Sequence, residues 1–254
     1  MAAWRCSHRM SLKYQTEDEE QNARNGDVAT PVRPPIPYYT VILIAAIVAV
    51  ALVQFATGLD ASILTIGFVK PAFIKKHEYW RILTGATAHG SILHVAMNCY
   101  AFYSFGRIFE MLSNRAHLVI VFLLAALGGG VLSLVFQPEG TSVGASGGIV
   151  GLIGYLAVYA FRRSQFISPA FRKNLLINIG FILIYGLVLY QIIDNFGHIG
   201  GLITGAIYGL IQIPSDAHTD PREAGSVVQT AGLAALGIYI AACCFSILLI
   251  LRIV

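Results

Sequence analysis

Gly144-Ala145-Ser146-Gly147-Gly148-Ile149-Val150-Gly151 (residues 144–151) and Gly197-His198-Ile199-Gly200-Gly201-Leu202-Ile203-Thr204-Gly205 (residues 197–205) each open an apolar run, with one reactive side chain at its entrance. Gly147 and Gly151, like Gly201 and Gly205, are four residues apart, which on a helix makes a small-residue ridge. Such ridges let two helix backbones approach closely, and in a bilayer close packing replaces the hydrophobic drive between helices. A serine hydroxyl is a weak nucleophile that needs a neighbouring base to take its proton. Polar and ionisable groups inside apolar spans are expensive and mark functional positions. Packing these two ridges together predicts an all-α membrane bundle that brings Ser146 within reach of His198.

The rest of the chain agrees with a bundle. Of its 254 residues, 56% are hydrophobic and only 12% charged, with a mean hydropathy of +0.70. Soluble domains carry about twice that charge, so the composition excludes an ordinary soluble enzyme. Apolar runs near the ~20 residues needed to cross a hydrocarbon core predict spans at 39–57, 91–112, 116–136, 146–162, 174–193, 197–213 and 229–252. They divide the chain into a polar, flexible cytoplasmic tail (1–38), a six-helix catalytic unit (39–213), a linker (214–228) and a further C-terminal helix (229–254). Glu17, Asp18, Glu19 and Glu20 precede the first apolar run, which argues against a cleaved signal peptide. Cys99, Cys243 and Cys244 lie in apolar stretches and Cys6 in the tail, a spacing with no metal framework. No metal or cofactor is expected. The net charge of +4 comes from residues scattered between spans, so it speaks of topology rather than nucleic acid.

With the N-terminus in the cytoplasm, twelve of the 17 lysines and arginines fall on inside segments, the 162–173 connection most clearly. This places Ser146 and His198 toward the outer face of a plasma (inner) membrane, each about 5 Å into its helix at 1.5 Å per residue. The first loop, 58–90, mixes Lys70, Lys75, Lys76, Trp80 and Arg81 with Phe68, Phe73, Ile74 and Tyr79. That mixture suits short amphipathic pieces lying in the headgroup region.

The second span adds His94 and Asn98, which at i and i+4 share one helix face. They are able to donate hydrogen bonds to an oxyanion, or simply to hold helices together as a polar cluster. His89 precedes this helix, and Ser142, His89 and Gln191 would make the entrance polar. Asp194, four residues before His198, reads as a solvated loop residue, with an orienting role for the histidine as the alternative.

These marks together resemble the rhomboid intramembrane serine proteases: Trp80-Arg81 in the first loop, His94 with Asn98 as HxxxN, Gly144-Ala145-Ser146-Gly147 as GxSG, and His198 with Gly201 and Gly205 as HxxGxxxG. The resemblance covers roughly residues 40–213. It implies a six-helix core with a Ser146–His198 dyad that needs no carboxylate, and an oxyanion site formed by His94, Asn98 and the Ser146 N–H. It also implies transmembrane protein substrates, cut near the outer end of the span. The seventh span matches the six-plus-one layout of some members. One position departs from the pattern: where many members carry an aromatic ring on the catalytic histidine, this chain has Val150, leaving Tyr155 or Phe196 to supply the contact. Two rival readings remain, an inactive relative that binds transmembrane helices and a channel or transporter lined by His94, Asn98 and His198. Oligomeric state is not legible.

Overall fold

A computed structural model describes residues 36–189, 193–216 and 218–253. Helix α1 (Tyr38–Thr57) follows Pro37 and stops at Gly58, whose φ of 111° breaks the helical path. The first loop then folds into α2 (Leu59–Ile66), β1 (Phe68–Val69), α3 (Lys70–Lys75) and α4 (Arg81–Thr84). Five long helices follow before the last: α5 (Ile92–Leu112), α6 (Arg115–Phe136), α7 (Ser146–Arg162), α8 (Pro169–Val188) and α9 (Asn195–Gln212). The last, α10, runs over Ser226–Ile250. Between α6 and α7 the two-residue strand β2 (Thr141–Ser142) pairs antiparallel with β1, Phe68 opposite Ser142.

Side-chain caps set the starts of four of the long helices. Ser91 accepts from the His94 N–H, Asn114 from Ala116, Ser168 from Phe171 and Asp194 from Gly197. Each satisfies one of the N–H groups that a helix start leaves without an intrahelical partner. Ser168 with Pro169 at the first position explains why α8 begins at 169, earlier than the expected 174. Likewise α10 begins at Ser226, inside the expected linker. Gln191 and the tail through residue 35 lie outside the described residues.

The chain is an integral membrane protein. α1, α6, α8 and α10 are long and apolar enough to cross a bilayer, and α7 is apolar over 17 residues. The first loop, the turn before Ser146 and Asp194 gather at one end, while Ser113, Asn114 and Arg163 meet Pro221, Arg222 and Asp216 at the other. Bonds between connections mark both ends: Gly144 N–H to the Gly85 carbonyl on one, Asn114 to the Arg222 carbonyl on the other.

α7 forms the centre, with α6 and α9 packed tightly against it and against each other. Its buried Tyr155 stacks on Phe109 of α5, and Phe122 of α6 stacks on Phe102. α8 is peripheral, with only Leu175 and Gly186 buried among its residues. Arg81 organises the first loop: it pairs with Glu78 and sends one guanidinium nitrogen to the carbonyls of Leu64, Thr65 and Gly67. Lys70 is only 1% exposed, and burial holds its pKa below the usual lysine value, with the Asp194 charge acting the other way. It is therefore not one of the exposed charges expected of a first loop lying among headgroups.

Candidate active site

Two helix beginnings meet at the loop end of the bundle. Ser146 is the first residue of α7 and His198 lies one turn into α9; the expectation that both sit equally deep in their helices is corrected for Ser146, because the Gly144 turn delays the helix start. His198 Nε2 and Ser146 Oγ are 2.9 Å apart. For the imidazole to accept the serine proton at Nε2, its hydrogen must sit on Nδ1, a buried atom with no hydrogen-bond partner among the described residues.

Glycines make this approach possible. A Cβ on Gly201 would lie 2.1 Å from the Gly147 carbonyl oxygen, and one on Gly205 1.9 Å from that of Gly151. Backbone therefore rests on backbone, as the ridges predict. The neighbouring Gly148 packs on Phe122 of α6, where its Cβ would meet ring carbons at 2.6 Å. On the other side of α9, a Cβ on Gly200 would lie 2.6 Å from the Gly128 carbonyl oxygen, and one on Gly129 2.4 Å from that of Gly197. This second seam was not anticipated, although Gly128-Gly129-Gly130 was its signal in the sequence.

His94 and Asn98 both reach the turn before Ser146. Gly144 holds a φ of 120°, and a Cβ there would lie 2.8 Å from His94 Nε2 and 3.4 Å from Asn98 Nδ2. Tautomers follow from the bonding. The Gly90 N–H donates to His94 Nδ1 (3.4 Å), which leaves the His94 proton on Nε2, facing Gly144. His89 Nδ1 donates to the Thr87 carbonyl (3.3 Å), so its Nε2 accepts from the Asn98 amide at 2.9 Å. One Asn98 N–H is thus engaged and the other is free to donate. His94 Nε2–H, the second Asn98 N–H and the first-turn N–H groups of α7 make a donor set beside the serine, suited to negative charge on a carbonyl oxygen.

Asp194 is more than a solvated loop residue. Its carboxylate caps α9 through the Gly197 N–H at 2.8 Å and accepts from both Ser133 of α6 and Ser142 of β2 at 2.5 Å. It ties three elements together one turn before His198, acting through the helix start rather than by a bond to the imidazole. Tyr155 stacks on Phe109 and Phe196 on Phe136, so both rings suggested as substitutes for the aromatic missing at Val150 are engaged elsewhere. A cavity of about 50 Å³ opens beside the pair, with Ser142, Val143, Ser146, Asp194 and His198 among its lining. Among the described residues there is no cluster of His, Cys, Asp or Glu able to hold a metal.

The family model described as "Rhomboid domain" matches residues 76–215. Rhomboid protease GluP of Bacillus subtilis (strain 168) is 29% identical over 194 residues, 76% of this chain and 38% of its own length. Rhomboid-like protease 3 of Toxoplasma gondii is 30% identical over 139 residues, 53% of this chain and 52% of its own. Inactive rhomboid protein 1 of Papio anubis is 28% identical over 139 residues, 54% of this chain and 16% of its own. The chain thus spans about half, or less, of the length of these relatives.

Proposed function

The chain belongs to the rhomboid family, and from that membership and the Ser146–His198 geometry we propose that it is an intramembrane serine endopeptidase cutting transmembrane segments of other membrane proteins. The observation that carries the reading is the 2.9 Å contact between His198 Nε2 and Ser146 Oγ, at helix ends flanked by His94 and Asn98.

The chemistry follows from the donors and acceptors. Ser146 Oγ attacks the carbonyl carbon of a substrate peptide while its proton passes to His198 Nε2. The carbonyl oxygen becomes an oxyanion and takes hydrogen bonds from His94 Nε2–H and Asn98 Nδ2–H, with the Ser146 N–H a third donor. His198 then delivers its proton to the departing amine, leaving an acyl-enzyme. Water attacks this ester with its proton taken by His198, and as the bond from the acyl carbon to Ser146 Oγ breaks, His198 returns that proton to Oγ and the acid product leaves. A helical substrate hides its carbonyls in internal hydrogen bonds, so the scissile segment must unwind before it reaches the serine. The shallow site favours substrates that unwind near a membrane face, where water is also at hand. Charge distribution supports the outer face of a plasma membrane, with the N-terminus cytoplasmic.

The test is cleavage of a single-span substrate in liposomes by wild type, Ser146→Ala and His198→Ala, with mass spectrometry locating the cut. The reading expects a cut near one end of the span by the wild type alone. The similarity to Inactive rhomboid protein 1 favours a second reading, helix binding without cleavage. In that case wild type and Ser146→Ala bind the substrate equally and neither cuts it.

A further inference from the structure

The seventh long helix, α10, lies along α6 and α1 and reaches the first-loop helices α2 and α4. Near its start, Gly232 sits against Ala116, where a Cβ would lie 2.6 Å from the Ala116 Cα. Two hydroxyls in the apolar body of this helix are fully buried, Tyr239 and Ser246, each 0% exposed. A buried hydroxyl is costly unless it is hydrogen-bonded, and both are bonded to one short stretch of the first loop. Tyr239 donates to the Ala86 carbonyl at 3.1 Å. Ser246 and Thr87 share a bond of 2.8 Å, and since Thr87 donates its own proton to the Thr84 carbonyl, Ser246 is the donor. Trp80 adds an edge contact to Phe245 with ring centroids 6.2 Å apart.

The stretch held in this way leads directly to the site. The Gly85 carbonyl accepts the Gly144 N–H at 2.9 Å, fixing the turn before Ser146. His89 accepts from Asn98, and its backbone N–H donates to Gln54 of α1 at 3.0 Å. Residues 85–91 are not helical, and irregular backbone at membrane depth persists only where protein groups satisfy it. The Ala86 carbonyl takes no backbone N–H among the described residues, and Tyr239 is its partner.

We propose that α10 is a positioning element of the catalytic centre: the Tyr239 and Ser246 hydroxyls hold residues 85–89 so that Gly85 fixes the Gly144 turn and His89 fixes the Asn98 amide. This rests on the protease reading above. It gives the added helix a role in assembling the oxyanion side of the site, with no contact of its own to substrate.

The test uses the full chain in liposomes, as wild type, Tyr239→Phe, Ser246→Ala, the double variant and Ser246→Thr. Three readouts are needed: kcat and KM on a single-span substrate, amide hydrogen exchange of residues 85–91 and 141–146, and thermal unfolding. The double variant should lose about tenfold to a hundredfold in kcat, the scale of a small misplacement of reacting groups, with KM within about twofold. Exchange should quicken in 85–91 and at Gly144 while the middle of α5 stays protected, and Ser246→Thr should restore the wild-type pattern. A double variant that is folded and retains wild-type kcat overturns the proposal, as does a loss that only follows the unfolded fraction. If the wild type itself cuts nothing, the protease reading falls, and unchanged exchange in the double variant then overturns the anchoring as a separate result.

Discussion

Replacing Gly201 by alanine tests whether the glycine seam sets the catalytic distance. The added Cβ would lie 2.1 Å from the Gly147 carbonyl oxygen, so α7 and α9 must separate by about 1.3 Å to reach the 3.4 Å of ordinary contact. Neither side of that contact is a flexible side chain that could swing away. Gly147 follows Ser146 directly and Gly201 is three residues past His198, so the separation falls on the 2.9 Å bond between Ser146 and His198. A displacement of about 1 Å between reacting groups costs on the order of 10²-fold in rate. Stability moves less. Overpacking costs about 1–3 kcal/mol, while alanine in place of glycine recovers up to about 1 kcal/mol of helix propensity. Gly201→Ala should therefore fold, with kcat about a hundredfold down and substrate binding little changed. Gly180→Ala is the control, since a Cβ there meets nothing within 4 Å. The assay is cleavage of a reconstituted single-span substrate, with Ser146 labelling by a fluorophosphonate and thermal unfolding in parallel. Wild-type kcat in Gly201→Ala, or equal damage from Gly180→Ala, refutes the idea that backbone contact sets the dyad.

Three further substitutions probe the surroundings. Asn98→Ala should lower kcat by about 10²–10³ with KM nearly constant, as loss of one oxyanion donor does; a rise in KM alone would assign Asn98 to substrate binding instead, and steady-state kinetics separates the two. Gly144→Ala combines a φ of 120° with a Cβ 2.8 Å from the His94 ring, so it should abolish cleavage in a protein that still inserts and unfolds cooperatively, read by cleavage beside a thermal melt. Asp194→Ala removes a helix cap, about 1 kcal/mol, and leaves the buried Ser133 and the half-buried Ser142 without their carboxylate acceptor; Tm and kcat should both fall, whereas Asp194→Asn, which can still cap α9, should keep most of the Tm.

Repetition and spacing made the bundle legible. Runs of apolar residues marked seven long helices, and residues 57, 112 and 136 as helix ends were read to the residue. Starts that depend on caps were less visible: Ser168 with Pro169 moved α8 toward the N-terminus, because a local cap prevails over the onset of apolarity. The meeting of Ser146 with His198 was readable because glycines four apart declare which helix faces approach. Asp194 was underrated for a different reason. Its partners Ser133 and Ser142 are 61 and 52 residues away in the chain, and no local pattern links a loop carboxylate to them. Tyr239 and Ser246 escaped notice in the same way, since one hydroxyl in an apolar helix looks incidental until its carbonyl or hydroxyl partner is seen.

The site also answers a physical difficulty, which is how to keep polar chemistry within an apolar bundle. Each reactive group sits at or near a helix start, where N–H groups without intrahelical partners already require polar company. The charged carboxylate nearest the pair, Asp194, has three partners of its own, so it completes a helix start, and His198 Nδ1 has no hydrogen-bond partner among the described residues. The place of the imidazole is then set by the backbone of α9, pressed on α6 through Gly200 and on α7 through Gly201, and its ring by the 2.9 Å contact with Ser146 Oγ. A triad fixes its histidine with a hydrogen-bonded carboxylate; here two glycine seams hold the helix that carries it.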